Sequence, residues 1–163
     1  MVEDITAFQT PRIINGINNY VEKQGYAVIL NNMSLLEKTG NHYSELSSYQ
    51  SAISKSIKLF NKTQIDGLVY VAMHDRDVME LIPKLSIPIV LVYCYDTSKK
   101  NYYVTYDNMD VIADVAEYLV KHGHEKIGVI KGAEDSLPSQ KRLRSFITQL
   151  EKAGKELKEE YIF

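Results

Sequence analysis

Short, largely apolar runs alternate with amphipathic helical stripes along the whole chain, and this alternation restricts the fold more than any other feature. Residues 27–31, 65–71, 87–93 and 126–130 are runs rich in Val, Ile and Leu. They are too short for a buried helix and show no polar face, the pattern of strands covered on both sides. Between them, apolar residues recur three and four positions apart, as on one face of a helix. These stripes are Ile13, Ile14, Ile17, Tyr20 and Val21; Leu46, Tyr49, Ile53, Ile57 and Phe60; Val78, Leu81, Ile82 and Leu85; Ile112, Val115, Ala116 and Leu119; and Leu143, Phe146, Ile147 and Leu150. Thr10 and Pro11 suit the start of the first helix and Gly25 its stop, whereas Pro83 limits the third. Residues 102–106 fit an edge strand. Strands joined through helices by short connections run parallel, with helices on both faces. The expected fold is a doubly wound α/β sheet.

Composition narrows the function classes. With 163 residues, 45% of them hydrophobic, the chain can bury a sizeable core. A formal charge of −2 offers no general attraction for a polyanion, so DNA contact through this segment is not expected. The single cysteine, Cys94, excludes an intrachain disulfide and a thiolate-rich zinc site, and its apolar neighbours suit a small buried hydrophobe. No apolar run is long enough to span a bilayer. The first ten residues are acidic and polar rather than signal-like, which fits a cytoplasmic location.

Catalytic and cofactor motifs are missing. There is no GxGxxG, no GxxxxGK[ST] and no GxSxG, so no glycine-rich phosphate cradle or nucleophile elbow is expected, and no cofactor. Of His42, His74, His122 and His124, only the last two are close in sequence, without carboxylate or thiolate partners nearby. Ser47 and Ser48 lie in a polar stretch, and Asp66-Gly67 is turn chemistry. Nothing combines a nucleophile, a base and an oxyanion donor, so the chain reads as a binding protein rather than an enzyme.

In open α/β sheets a ligand sits beyond the carboxyl ends of the strands. That rule nominates the segments from residue 32 onward and residues 72–76, 93–97, 107–110 and 131–142. Asp107 supplies a carboxylate and Arg142 a planar guanidinium, groups able to form paired hydrogen bonds to vicinal hydroxyls or to a carboxylate. Asp107 equally suits a helix cap, and Arg142 a solvated helix residue. Tyr70, Tyr93 and Tyr95 suit the sheet and core better than stacking on a sugar.

The order of several short motifs resembles the effector-binding domain of lactose-repressor-type (LacI/GalR) transcriptional regulators. The carriers are Val2-Glu3-Asp4-Ile5-Thr6, Gly25-Tyr26-Ala27-Val28-Ile29-Leu30, Ile65-Asp66-Gly67-Leu68-Val69, Ile87-Pro88-Ile89-Val90-Leu91, Asp107-Asn108 and His122-Gly123-His124-Glu125-Lys126-Ile127-Gly128. The resemblance implies a periplasmic-binding-protein-like fold with an incomplete two-lobe domain. Residues 1–121 would be most of the N-terminal lobe, with its first strand largely missing. Residues 122–163 would be the hinge crossing and the start of the C-terminal lobe. It also implies a small-molecule effector, a saccharide or similar compound, bound between the lobes, a homodimer, and DNA contact only through a head absent from this chain. Arg142 and Asp107 carry over as ligand contacts, and so do Thr6, Phe8, Ser136 and Pro138. In the Arg142-Leu143-Arg144-Ser145-Phe146 stretch, Ser145 stands where the family usually has Gly. A solute-binding protein of a sugar transporter, which shares the fold, is the alternative.

Overall fold

Pairing in the computed structural model, which describes residues 1–39, 46–98 and 100–163, starts from a three-stranded parallel sheet. Its strands are β1 (Leu68–Val71), β2 (Ile89–Val92) and β3 (Tyr102–Val104), in that order, with Leu68 opposite Ile89 and Val90 opposite Tyr102. Each strand is shorter than its apolar run, because only the residues that find a neighbouring backbone are extended and paired. The edge position expected for residues 102–106 holds for β3, whose three residues are all exposed. The helices are α1 (Thr10–Lys23), α2 (Leu35–Thr39), α3 (Leu46–Thr63), α4 (Asp110–Lys121) and α5 (Leu137–Lys152). Gly25 and Gly123, at φ +81 and +77, terminate α1 and α4 in the left-handed conformation that costs glycine least.

The chain divides into two units, Met1–Thr105 and Tyr106–Phe163. In the first, Tyr49, Ile53, Ile57 and Phe60 of α3 are buried in one core with Leu68 and Tyr70 of β1 and Ile89 and Leu91 of β2. This is the stripe read from the sequence; the side chain of Leu46 lies outside the described residues, as does His42. In the second, Ala116 of α4 packs with Phe146 and Leu150 of α5, and Ile127 and Val129 close around them. In this unit α4 packs on α5, on the two sides of the loop at 121–125.

Three expected elements differ. Residues 27–31 form no strand: Val2 pairs with Asn32 alone, and Val28, Ile29 and Leu30 stay exposed because no neighbouring backbone meets them. Residues 78–85 form a tight turn rather than a helix, with Leu81 N and Ile82 N both donating to Val78 O (2.9 and 3.1 Å). Pro83 has no N–H to continue the turn into a helix. Val78, Leu81 and Ile82 are buried all the same. Residues 126–130 contribute a single parallel bridge, Val129 to Ile162, since the segment meets only the chain's last residues.

Candidate functional site

The loop leaving Met1–Glu3 is fixed by two consecutive carboxylates. Glu3, fully buried, accepts hydrogen bonds from Tyr70 Oη, from Arg76 and from Met73 N (2.8 Å). The Arg76 guanidinium carbon lies over the Tyr49 ring, 3.8 Å from its centroid. Burial works against its charge, but Glu3 outweighs that and raises the guanidinium's pKa. Burial and the Glu3 charge also push the Tyr70 phenol and the Cys94 thiol up, leaving Cys94 the inert buried residue expected. Nothing in the sequence announced this network, because its members are scattered between positions 3 and 76.

Asp4 accepts from Thr6 N (2.9 Å), Thr6 Oγ1 (2.6 Å) and Leu36 N (3.0 Å). Burial raises its pKa, but those donors prevail and hold the carboxyl below the usual range. The Thr6 hydroxyl therefore already serves the loop, whereas Phe8, 81% exposed, projects into solvent. At the end of β2, Tyr93 has φ 62, a strained conformation for a bulky residue, and its N–H donates to Val104 O (2.9 Å).

The second unit holds the remaining candidates. Asp107 Oδ1 accepts from Met109 N (2.8 Å) and Asp110 N (3.0 Å), a turn that feeds the first turn of α4. Those backbone donors, Asp110 first, hold its carboxyl below the ordinary value. Next to it Asn108 is buried, and its Oδ1 accepts from Arg142 Nε at 2.7 Å. The Arg142 guanidinium lies 5.7 Å from the Tyr106 ring centroid, within cation–π range. Among the described residues it has no acidic partner. An exposed, permanently charged fork is thus clamped through one nitrogen, leaving its terminal nitrogens for an outside acceptor.

The helix that carries Arg142 is tied down around it. Ser145, at the position where the family usually has Gly, is buried and donates from Oγ to Met109 O (2.6 Å), linking α5 to the start of α4. Gly132 N donates to Ser139 Oγ (3.0 Å), and Gln140 Nε2 to Glu134 O (2.6 Å). Ser136 is the N-cap of α5 but makes no side-chain cap bond, whereas Pro138 is buried in the first turn. Asp107, Ser136, Pro138 and Arg142 thus belong to the second unit, and Thr6 and Phe8 to the first. Sequence reasoning missed Tyr106 and Asn108 as partners of Arg142, although Asn108 stood inside a quoted motif.

His122 Nδ1 lies 2.8 Å from Tyr118 O, and its ring stacks on Tyr118 at 4.0 Å. No group of three or more metal-ligating residues converges among the described residues. No described helix is long and apolar enough to cross a membrane. Tyr70 is core, as expected, and Tyr95 packs against Tyr103.

Residues 11–163 match the family described as periplasmic binding proteins and sugar binding domain of LacI family, and the chain belongs to it. Among curated relatives, the HTH-type transcriptional repressor PurR of Pasteurella multocida is 24% identical over 97% of this chain and 45% of its own length. The chain therefore spans about half the length of the curated relatives it matches. Among solved structures, a LacI-family regulator from Rhizobium etli superposes with a TM-score of 0.77 at 24% identity, over 99% of this chain and 53% of that one. A periplasmic binding protein/LacI transcriptional regulator from Alkaliphilus metalliredigens, complexed with D-xylulofuranose, gives 0.69 at 16%, over 100% and 54%. The fold is accordingly periplasmic-binding-protein-like and represented in part.

Proposed function

We propose that this chain is effector-sensing machinery of a transcriptional repressor, and that it binds a polyhydroxylated small molecule, a saccharide or close analogue, without turning it over. The observation that carries the reading is Arg142: exposed, oriented by Asn108 and Tyr106, and without an acidic partner among the described residues. A fork held in this way suits paired hydrogen bonds to vicinal hydroxyls or a carboxylate. Asp107, next in sequence to Asn108, spends Oδ1 on its turn and in this reading offers Oδ2 to the ligand. Ser136 offers a hydroxyl at the helix start. Thr6, Phe8 and Pro138 stand as further contacts on family resemblance, Thr6 through its oxygen lone pairs and Pro138 through packing.

The repressor relatives favour the regulator over a transporter's solute-binding protein. In this account residues 1–121 and 122–163 belong to successive lobes and the regulator is a cytoplasmic homodimer. DNA is contacted by a separate module rather than by this acidic chain. The ligand acts by binding one of two conformations more tightly, since only that differential affinity shifts an equilibrium.

The test is a thermal-shift screen of pentoses, hexoses, disaccharides and sugar phosphates against the chain and its Arg142→Ala variant. A stereoselective rise in Tm that the variant loses is the expected outcome, with the variant's unliganded Tm somewhat lower because the buried Asn108 loses that donor. A panel without effect, or a shift indifferent to Arg142, contradicts the reading.

A further inference from the structure

Four segments of the first unit, residues 4–9, 32–36, 72–77 and 93–97, are bonded to one another rather than left as separate loops, and Glu3 stands where they meet. Its backbone is held on both sides, with Glu3 N donating to Val71 O (3.0 Å) and Leu35 N to Glu3 O (2.9 Å). Its carboxylate, fully buried, takes the Met73 amide on Oε2 (2.8 Å) and both the Tyr70 hydroxyl and Arg76 Nη2 on Oε1. From Arg76 the connection passes on through the main chain: Tyr95 N donates to Arg76 O (3.0 Å) and Val78 N to Tyr95 O (2.9 Å). On the other side Asp4 accepts from Thr6 and from Leu36 N (3.0 Å), and Ile5 N donates to Asn32 Oδ1 (3.0 Å).

Stability alone does not call for such an arrangement. Well-packed apolar residues of the same volume commonly serve a core as well as a buried ion pair does, because both charges of the pair must leave water. Arg76 makes the point sharper, since its Nε and Nη1 are buried without a hydrogen bond. What the polar set supplies is direction. A carboxylate accepts along the lone pairs of two oxygens and a guanidinium donates in its own plane, so donors from residues 70, 73 and 76 fix the path of the chain as it leaves β1.

We propose that Glu3 is the positioning residue of this edge: through Tyr70, Met73 and Arg76 it locks residues 4–9 and 72–77 into one platform, and thereby sets where Thr6 and Phe8 are presented. Glu3 itself, fully enclosed, meets no ligand. The presentation of Thr6 and Phe8 to an effector rests on the function proposed above, whereas the lock does not.

The test replaces the polar set as a whole, Glu3→Met with Tyr70→Phe and Arg76→Leu, so that no charge is left uncompensated. The variant is expected to fold with a Tm near that of the wild type, while hydrogen exchange at the Thr6, Leu36 and Tyr95 amides speeds up about tenfold or more. Those three amides keep their own acceptors, so their acceleration reports the lock. Exchange at Leu68, bonded to Pro88 O at the opposite end of β1, and at Ile57 in α3 is expected to stay unchanged, whereas a cluster that merely stabilises the unit would move all five amides together. Glu3→Gln, which keeps the shape and removes the charge, accelerates the same three amides by a smaller factor and serves should the triple variant fail to fold. With pentoses, hexoses, disaccharides and sugar phosphates titrated in, the sugar that stabilises the wild type is expected to bind the triple variant about tenfold more weakly, because the loops must then be ordered on binding. Unchanged exchange at Thr6, Leu36 and Tyr95, or equal acceleration at all five amides, overturns the proposal, as does selective acceleration with undiminished sugar affinity. A panel that binds neither protein contradicts the effector reading alone, and the exchange rates then decide the lock.

Discussion

Arg76 and Arg142 sit in different units and are treated in opposite ways. Arg76 is buried, stacked on Tyr49 and neutralised by Glu3, which is itself fully enclosed. Arg142 is exposed, held by the neutral amide of Asn108, and has no acidic partner among the described residues. A buried guanidinium must be paired where it sits, and Arg76, whose Nε and Nη1 make no hydrogen bond, is kept from a ligand by its burial rather than by its partners. An exposed one steered by an amide keeps its charge for whatever arrives. The contrast separates an arginine that is committed to the core of the first unit from one that, in the function proposed above, meets the ligand.

The contrast breaks most visibly at Arg76. Arg76→Ala leaves the Glu3 carboxylate uncompensated in the core and is expected to cost about 3–5 kcal/mol in urea denaturation. A loss below ~1 kcal/mol would mean that the pair is solvated and the contrast is void.

The next effect is one of pH. The Met1 amine has a pKa of about 6 in the folded chain against 8.0 unperturbed, so the unfolded chain takes up the proton first as pH falls. Stability is therefore full above pH 8, declines as pH drops toward 6, and levels off below that. The expected span is about 2–3 kcal/mol. N-terminal acetylation should flatten the denaturation profile across that window.

Smaller still is Asp107→Ala, which deprives the start of α4 of its acceptor and should lower Tm by a few degrees. Because the folded carboxyl titrates below its usual range, the wild-type advantage is present at neutral pH and fades in acid as Asp107 protonates. Arg142→Lys closes the series: a small fall in unliganded Tm, because the Nε donor to Asn108 is lost, and loss of any sugar-dependent shift, since lysine cannot offer the planar fork.

The two units also differ in how much of them the sequence disclosed. The α3 stripe, the sheet strands and the α4 and α5 faces were legible because each apolar pattern has a partner in the fold that satisfies it. Residues 27–31 misled because their pattern is that of a covered strand while the backbone lacks the cover. Residues 78–85 misled because Pro83 outweighs a helical spacing of side chains that become buried from a turn. Asp107 and Arg142 could be nominated from charge type and strand-end position. Their geometry could not, because Asn108 and Tyr106 act on Arg142 across more than thirty positions of sequence. Ser145 was flagged as a departure from the family pattern, and its hydroxyl explains how the position works with Ser: it bonds Met109 O.

The most direct test of the division between the two arginines is NMR of their side-chain N–H groups while pentoses, hexoses, disaccharides and sugar phosphates are titrated in. The account predicts that one class of sugar shifts the Arg142 resonances in a saturable way and leaves those of Arg76 unmoved. Saturable shifts at Arg76 with none at Arg142, or no response at either across the panel, would contradict it.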